Sequence, residues 1–285
     1  MKLVRYGAVG AEKPGLIDDG GQLRDLSGVV ADLSGAAIGN EGLRRLAAID
    51  PASLPRVDGN PRFGAPVAGI GKMICVGMNY ADHAAETGAP VPEQPVLFMK
   101  ATTAIGGAND TVVIPRDSVK TDWEVELGVI IGEVTRDVTV DDAMHHVAGY
   151  AVINDLSERE FQLEHGGQWV KGKSCDTFGP IGPWLVTRDE VADPQNLSLW
   201  LEVNGHRYQN GNTQTMVFGV AQLVSYISRY MTLMPGDVIS SGTPAGVGLG
   251  LKPPTYLKPG DVIELGIEGL GRQRQDVVAH PGRRP

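Results

Sequence analysis

Trp123-Glu-Val-Glu-Leu-Gly-Val129 is the stretch on which the reading of this 285-residue chain turns. Trp123, Val125, Leu127, Val129 and Ile131 alternate with Glu124, Glu126, Gly128 and Ile130, the period of two that marks a β-strand. Both glutamates then share one face, about 7 Å apart along the backbone. Like charges that close raise each other's pKa unless something positive lies between them. A solvated strand face with two incidental glutamates is the plainer reading of this segment alone. Against it stand Ile130, apolar on the glutamate face, and the apolar run Tyr150-Ala-Val-Ile-Asn-Asp155, which ends in a carboxylate. Glu124, Glu126 and Asp155 converging from strands suit a hard divalent cation, which takes oxygen ligands and keeps positions open for substrate. A metal site is therefore the working expectation.

Outward from this centre, the composition sets limits. The 25 Lys and Arg against 34 Asp and Glu leave a net charge of −9, which argues against a nucleic-acid partner; the Arg283–Arg284 pair is the one basic cluster that stands out. No apolar run is long enough to span a bilayer, and Met1-Lys-Leu-Val-Arg-Tyr6 has no signal-peptide core, so a cytosolic protein is expected. Cys75 and Cys175, the two cysteines, make neither a disulfide framework nor a zinc motif. The 38 Gly and 19 Pro fit many turns between short strands. Residues 1–70 read as a small N-terminal α+β domain, with a hairpin signal at Asp18-Asp-Gly-Gly-Gln22 and a short helix over 40–48. Residues 71–285 read as the β-rich catalytic domain.

Several side chains invite a chemical reading. A buried-strand pattern, Lys72-Met-Ile-Cys-Val-Gly77, runs into a turn of helix in which His83 and Glu86 stand at i and i+3. Such a pair works as a general base, the carboxylate fixing the histidine tautomer, although an isolated His-x-x-Glu is more often an incidental surface pair. The stretch from Thr87 to Pro95, rich in Pro and Gly, has the composition of a mobile lid. Adjacent His145 and His146 point different ways on a helix and read as structural. Asp155 is expected near the N-cap of a helix, so that Asp155, Arg159 and Gln162 share a face at i, i+4 and i+7. Ser241-Gly-Thr-Pro-Ala-Gly-Val-Gly248 lacks a dinucleotide or Walker pattern, yet its amides and Thr243 suit a carboxylate.

Taken together, Gly77-Met-Asn-Tyr-Ala-Asp-His-Ala-Ala-Glu86, Phe98-Met-Lys100, Glu124-Val-Glu126, Asn154-Asp-Leu-Ser-Glu-Arg159, Gly172-Lys-Ser174 and Ser241 to Gly248 resemble the fumarylacetoacetate hydrolase superfamily, in its order and spacing. The resemblance implies a mixed β-sandwich or β-roll with short helices, a homodimer or dimer of dimers, and Mg²⁺ or Mn²⁺ held by Glu124, Glu126 and Asp155. It implies His83 and Glu86 as a water-activating pair on a lid, and Lys173 as an active-site lysine. It further implies Arg159, Gln162 and Thr243 as contacts to the substrate's oxygens, with Lys100 matching a recurrent lysine grouped with them. The stretches Gly248 to Asp261 and Gly269 to Arg274 look most like members acting on 2,4-diketo-3-deoxy sugar acids, sequences often labelled ureidoglycolate lyase-like. The expected reaction is hydrolysis of 2,4-diketo-3-deoxy-L-rhamnonate or L-fuconate to pyruvate and lactate. Oxaloacetate decarboxylation and 2-hydroxy-dienoate isomerisation are the alternatives on the same scaffold, and a non-catalytic metal-dependent protein is the alternative outside enzymology.

Overall fold

The computed structural model describes residues 1–88 and 90–282; Ala89, within the lid stretch, and the Arg283–Arg284 pair lie outside the described residues. The glutamate strand runs Val125–Ile131 and lies inside a ten-stranded mixed sheet. Antiparallel neighbours flank it, Val147–Asn154 on one side and Val238–Ser240 on the other. Beyond Val238–Ser240 come Met73–Gly77, in parallel, and the edge strand Val96–Lys100. Beyond Val147–Asn154 come Gly179–Thr187 and then the N-terminal strands Lys2–Tyr6, Lys13–Ile17 and Leu23–Asp25. The fold is mixed and strand-rich with short helices, as expected.

A second sheet orders His206–Asn212, Ser198–Val203, Val262–Ile267, Gly271–Ala279 and Val112–Ile114. Its apolar side chains meet one face of the large sheet: Leu199, Leu201, Ile263 and Leu265 join Val125, Leu127, Val129 and Ile131 in one core, with the helix Val220–Ser228 completing it. Asn204 and Gly205 link two of these strands at φ +52° and +77°, the positive pair that a type I′ turn requires. Val112–Ile114 stops before Pro115 at the sheet edge, where a residue without an N–H is tolerated.

The opposite face of the large sheet is covered by the first 70 residues. Ile130 packs there with Leu3, Leu26, Ile38 and Leu46. The strand Lys2–Tyr6 also pairs directly with Gly179–Thr187, so the division at residue 70 coincides with no break in the sheet. Both faces of Val125–Ile131 are therefore buried, and every residue of that strand is buried. The plainer reading of a solvated glutamate face gives way here: Ile130 packs under the N-terminal segment, and Glu124 and Glu126 on the same face are buried as well. The strand also starts two residues later than the alternation implied, at Val125. There Gln209 Oε1 accepts the Val125 N–H at 2.9 Å, and Asn154 Oδ1 accepts that of Glu124 at 3.2 Å. Among the described residues no helix is long and apolar enough to cross a membrane.

Candidate active site

Register brings the acids together. Glu126 stands opposite Ile153, and Asp155 N–H donates to the Glu124 carbonyl at 2.9 Å just past the strand end. Glu124, Glu126 and Asp155 each offer an oxygen within 4.8 Å of the others, all buried. Asp155 is not on a helix, contrary to expectation. The helix runs Arg159–Leu163 and its N-cap is Glu158, whose carboxylate accepts the Phe161 N–H at 2.7 Å. Between Asp155 and that helix, Ser157–Glu158 pairs with Thr121–Asp122 in a two-stranded ladder. Hydrogen-bonding to a neighbouring strand outweighed the N-cap preference of aspartate.

Cations are interleaved with these acids. Lys173 Nζ lies 2.7 Å from Glu124 Oε2 and 2.9 Å from Asp155 Oδ2. It arrives on the short helix Val170–Lys173, which can seat closely because Gly172 has no side chain: a Cβ there would stand 2.2 Å from the Glu158 carbonyl. Arg159 donates Nη2 to Glu124 Oε1 at 2.7 Å and Nη1 to Gln162 Oε1 at 3.0 Å. Lys100 Nζ donates to the carbonyls of Leu156 and Lys173 at 2.8 and 2.7 Å. Its ammonium also forms an ion pair with Asp155 Oδ1 at 2.6 Å.

The acids therefore differ sharply. Burial would raise the Glu124 carboxyl, but Lys173 and Arg159 outweigh it and hold the group at about 2. For Glu126, burial and then the charges of Asp155 and Glu124 push the carboxyl well above its usual range, only partly offset by Lys173 and the Ser240 hydroxyl. Lys173 is kept charged: burial would lower its pKa, and Asp155 and Glu124 overcome that. Such a set, hard oxygen donors with one carboxylate short of compensating charge, fits a divalent cation. Glu126 must lose its proton to ligate. The apparent Mn²⁺ affinity is thus expected to climb with pH, by up to about tenfold per unit while Glu126 is protonated. Titration calorimetry at several pH values checks this, and a flat profile would remove Glu126 from the ligand set.

A cavity of about 220 Å³ opens over the cluster, lined among others by His83, Glu124, Glu126, Arg159, Gln162, Lys173 and Thr243. Seven of the ten expected site residues thus line one space. Glu86 reaches it through His83, Nδ1 to Oε2 at 3.3 Å, on the helix Ala81–Thr87. Asp155 and Lys100 are buried behind it. The glycine-rich loop does bind carboxylates through its amides, but they are the protein's own. Gly242 N–H donates to Glu126, Gly246 N–H to Glu86, and Gly248 and Leu249 N–H to Asp122. Thr243 donates its hydroxyl proton to the Val125 carbonyl at 2.8 Å and accepts from Gln209 Nε2 at 2.7 Å. Sequence reasoning missed Trp169, which packs edge to face at 5.3 Å on Phe98, a residue of the Phe98-Met-Lys100 motif, on the cavity wall. It also missed Asp122. Nothing local set these apart from ordinary core residues.

Fold and site together define a strand-rich enzyme scaffold with a buried acidic cluster suited to a cation. The family model described as "Fumarylacetoacetate (FAA) hydrolase C-terminal" matches residues 72–278, and the chain belongs to the fumarylacetoacetate hydrolase family of enzymes. A Burkholderia ambifaria protein carrying only a provisional hydrolase name is 64% identical over 276 residues, 96% of this chain and 98% of its own. The fumarylacetoacetate hydrolase of Exiguobacterium antarcticum superposes with a TM-score of 0.87 at 39% identity, over 98% of this chain and 100% of that one. Maleylpyruvate hydrolase from Sphingobium, solved with manganese(II) and pyruvate, gives 0.81 at 30%, over 98% and 99%. The 2-hydroxyhepta-2,4-diene-1,7-dioate isomerase of Mycobacterium marinum gives 0.76 at 31%, over 99% of each chain.

Proposed function

We propose that this protein is a metal-dependent hydrolase of 2,4-diketo acids that cleaves 2,4-diketo-3-deoxy-L-rhamnonate or L-fuconate to pyruvate and lactate. The observation that carries the reading is the His83–Glu86 pair on the cavity that holds Glu124, Glu126 and Lys173. Water attack needs a base there; decarboxylation of oxaloacetate needs none. The Sphingobium relative, which holds manganese(II) and pyruvate on this scaffold, adds support.

When bound by Glu124, Glu126 and Asp155, Mg²⁺ or Mn²⁺ would supply Lewis-acid polarisation of the ketone beside the substrate carboxylate. The chain's own residues do the rest. Nδ1 of His83 faces Glu86, which makes Nε2 the basic nitrogen. That nitrogen takes a proton from water as the oxygen adds to the C4 ketone. The C3–C4 bond then breaks, its electron pair passing into the enolate of pyruvate, and the C4 fragment leaves as lactate. Lys173 keeps its ammonium at the developing enolate oxygen, and protonation of C3 closes the balance. Arg159 has N–H groups beyond the three committed to Asp122, Glu124 and Gln162, and with Gln162 it orients the substrate's oxygens. Lys100 acts from behind, neutralising Asp155.

A second reading, isomerisation of a 2-hydroxy-dienoate, is favoured by the Mycobacterium marinum relative and needs only proton shuttling. Pyruvate release from acylpyruvates, diketo-deoxy sugar acids and oxaloacetate, with and without EDTA, beside isomerisation of a 2-hydroxy-dienoate, tests both. EDTA-sensitive pyruvate with lactate from the sugar acids supports the hydrolase. Pyruvate from oxaloacetate alone overturns the water-attack role of His83. No pyruvate from any 2,4-diketo acid, with a dienoate isomerised, replaces the first reading by the second.

A further inference from the structure

Asp122 has no part in the steps above, yet it is fully buried and its carboxylate gathers four donors. Oδ1 accepts the N–H of Trp123 at 2.8 Å and of Gly248 at 2.7 Å. Oδ2 accepts the N–H of Leu249 at 2.9 Å and Nε of Arg159 at 2.8 Å. One oxygen is thus shared between the guanidinium that touches Glu124 and the loop that follows Gly246. That loop seats the helix bearing His83. Gly246 N–H donates to Glu86 Oε1 at 2.9 Å, and Glu86 Oε2 lies 3.3 Å from His83 Nδ1. Gly250 leaves room for the contact, since a Cβ there would come within 2.3 Å of the Glu86 carboxyl carbon. Trp123, the neighbour of Asp122, ties the same loop by donating Nε1 to the Gly246 carbonyl at 3.0 Å.

A continuous path of hydrogen bonds and loop main chain therefore runs from His83 through Glu86, the 246–249 loop, Asp122 and Arg159 to Glu124. We propose that Asp122 is a positioning residue that couples the seating of the His83 helix to the placement of Arg159 at the acidic cluster. The physical reason is the shared acceptor. If the loop lifts, Asp122 loses the amides of Gly248 and Leu249, and the carboxylate that orients Arg159 is left under-satisfied in a buried setting. Helix and guanidinium then adopt their working positions together. The proposal bears on the reaction above, but its decisive test requires no turnover.

Asp122→Asn keeps size and shape but replaces one acceptor oxygen with an NH₂ group. Because each oxygen accepts two donors, either orientation of the amide faces two N–H groups with another donor. Hydrogen exchange is followed by mass spectrometry on the full chain with Mn²⁺, for wild type, D122N, Glu86→Ala and the double variant. The expected result is exchange faster by about tenfold or more in both 81–88 and 246–250 of D122N, with the strand Val125–Ile131 unchanged. In the E86A background D122N is expected to add less than about twofold at 81–88, the non-additivity that defines coupling. Pyruvate release by D122N is expected to lose about 100-fold in kcat/KM, with the loss in kcat as well as KM.

Equal acceleration throughout, Val125–Ile131 included, assigns Asp122 a merely structural role and overturns the proposal. So does additivity at 81–88, or loosening confined to 246–250. Should D122N not fold, Leu249→Pro removes one amide from the shared Oδ2 and leaves Asp122 intact; selective acceleration at 81–88 supports the coupling, and its absence overturns it. Absence of pyruvate from every acid tried would count against the proposed reaction, while the exchange result would still decide this inference.

Discussion

Glu126→Gln is expected to fold normally and lose pyruvate-forming activity by about 1,000-fold or more, the scale set by losing electrostatic stabilisation at a reacting centre. Oε2 of Glu126 accepts from Ser240 Oγ at 2.6 Å and from Gly242 N–H at 2.9 Å. A glutamine keeps both bonds by presenting its amide oxygen there, which leaves its NH₂ where a cation would require a lone pair. The same substitution separates a catalytic from a structural role through its pH dependence. The Glu126 carboxyl is raised in the folded protein, so between its unfolded pKa and its folded one the native state holds a proton that the unfolded chain has released. Without metal, wild-type stability therefore falls as pH rises through that window. Glutamine does not titrate, so the variant without metal lacks this decline. Urea unfolding in EDTA across the pH range, beside Mn²⁺ titration of the folded variant, checks both. A variant that binds Mn²⁺ as wild type does, or that unfolds at neutral pH, would sink the ligand assignment.

His83→Gln is expected to lower kcat/KM for 2,4-diketo acids by about 100- to 10,000-fold, the range for removing a general base. Mn²⁺ affinity should change little, because the acidic cluster keeps Lys173 and Arg159 as its partners. The control is a substrate that needs no water attack. Any oxaloacetate turnover should survive the substitution, because decarboxylation supplies the same enolate without a base. If both activities fall in parallel, His83 serves substrate placement and the water-activating role is wrong. Wild-type rates of water attack in H83Q would have the same consequence.

Much of the fold and the acidic set was legible locally. Alternation along Trp123 to Ile131 and the run to Asp155 marked two adjacent strands, because side chains on a strand repeat every two residues whatever the rest of the chain does. Asp18-Asp-Gly-Gly-Gln22 announced its hairpin for the same kind of reason, turn chemistry being local, and Lys13–Ile17 pairs antiparallel with Leu23–Asp25 across it. The order of motifs from Gly77 to Gly248 identified the family, and most of the site residues it implied face one cavity.

Other features had no local signature. That Glu124 sits near pKa 2 while Glu126, two residues on, is raised well above its usual range depends on Lys173, Arg159 and Asp155, which the fold delivers from distant segments. Pairing of Ser157–Glu158 with Thr121–Asp122 kept Asp155 off the helix that its sequence neighbourhood invited. The use of the glycine-rich loop's amides by Glu126, Glu86 and Asp122 was equally invisible. Sequence by itself determined which residue types lie on which strand and in what order, since backbone geometry and turn chemistry are short-range. Only the tertiary structure decided which carboxylates are compensated and which donors they hold, because burial and charge pairing act through space between residues far apart in the chain.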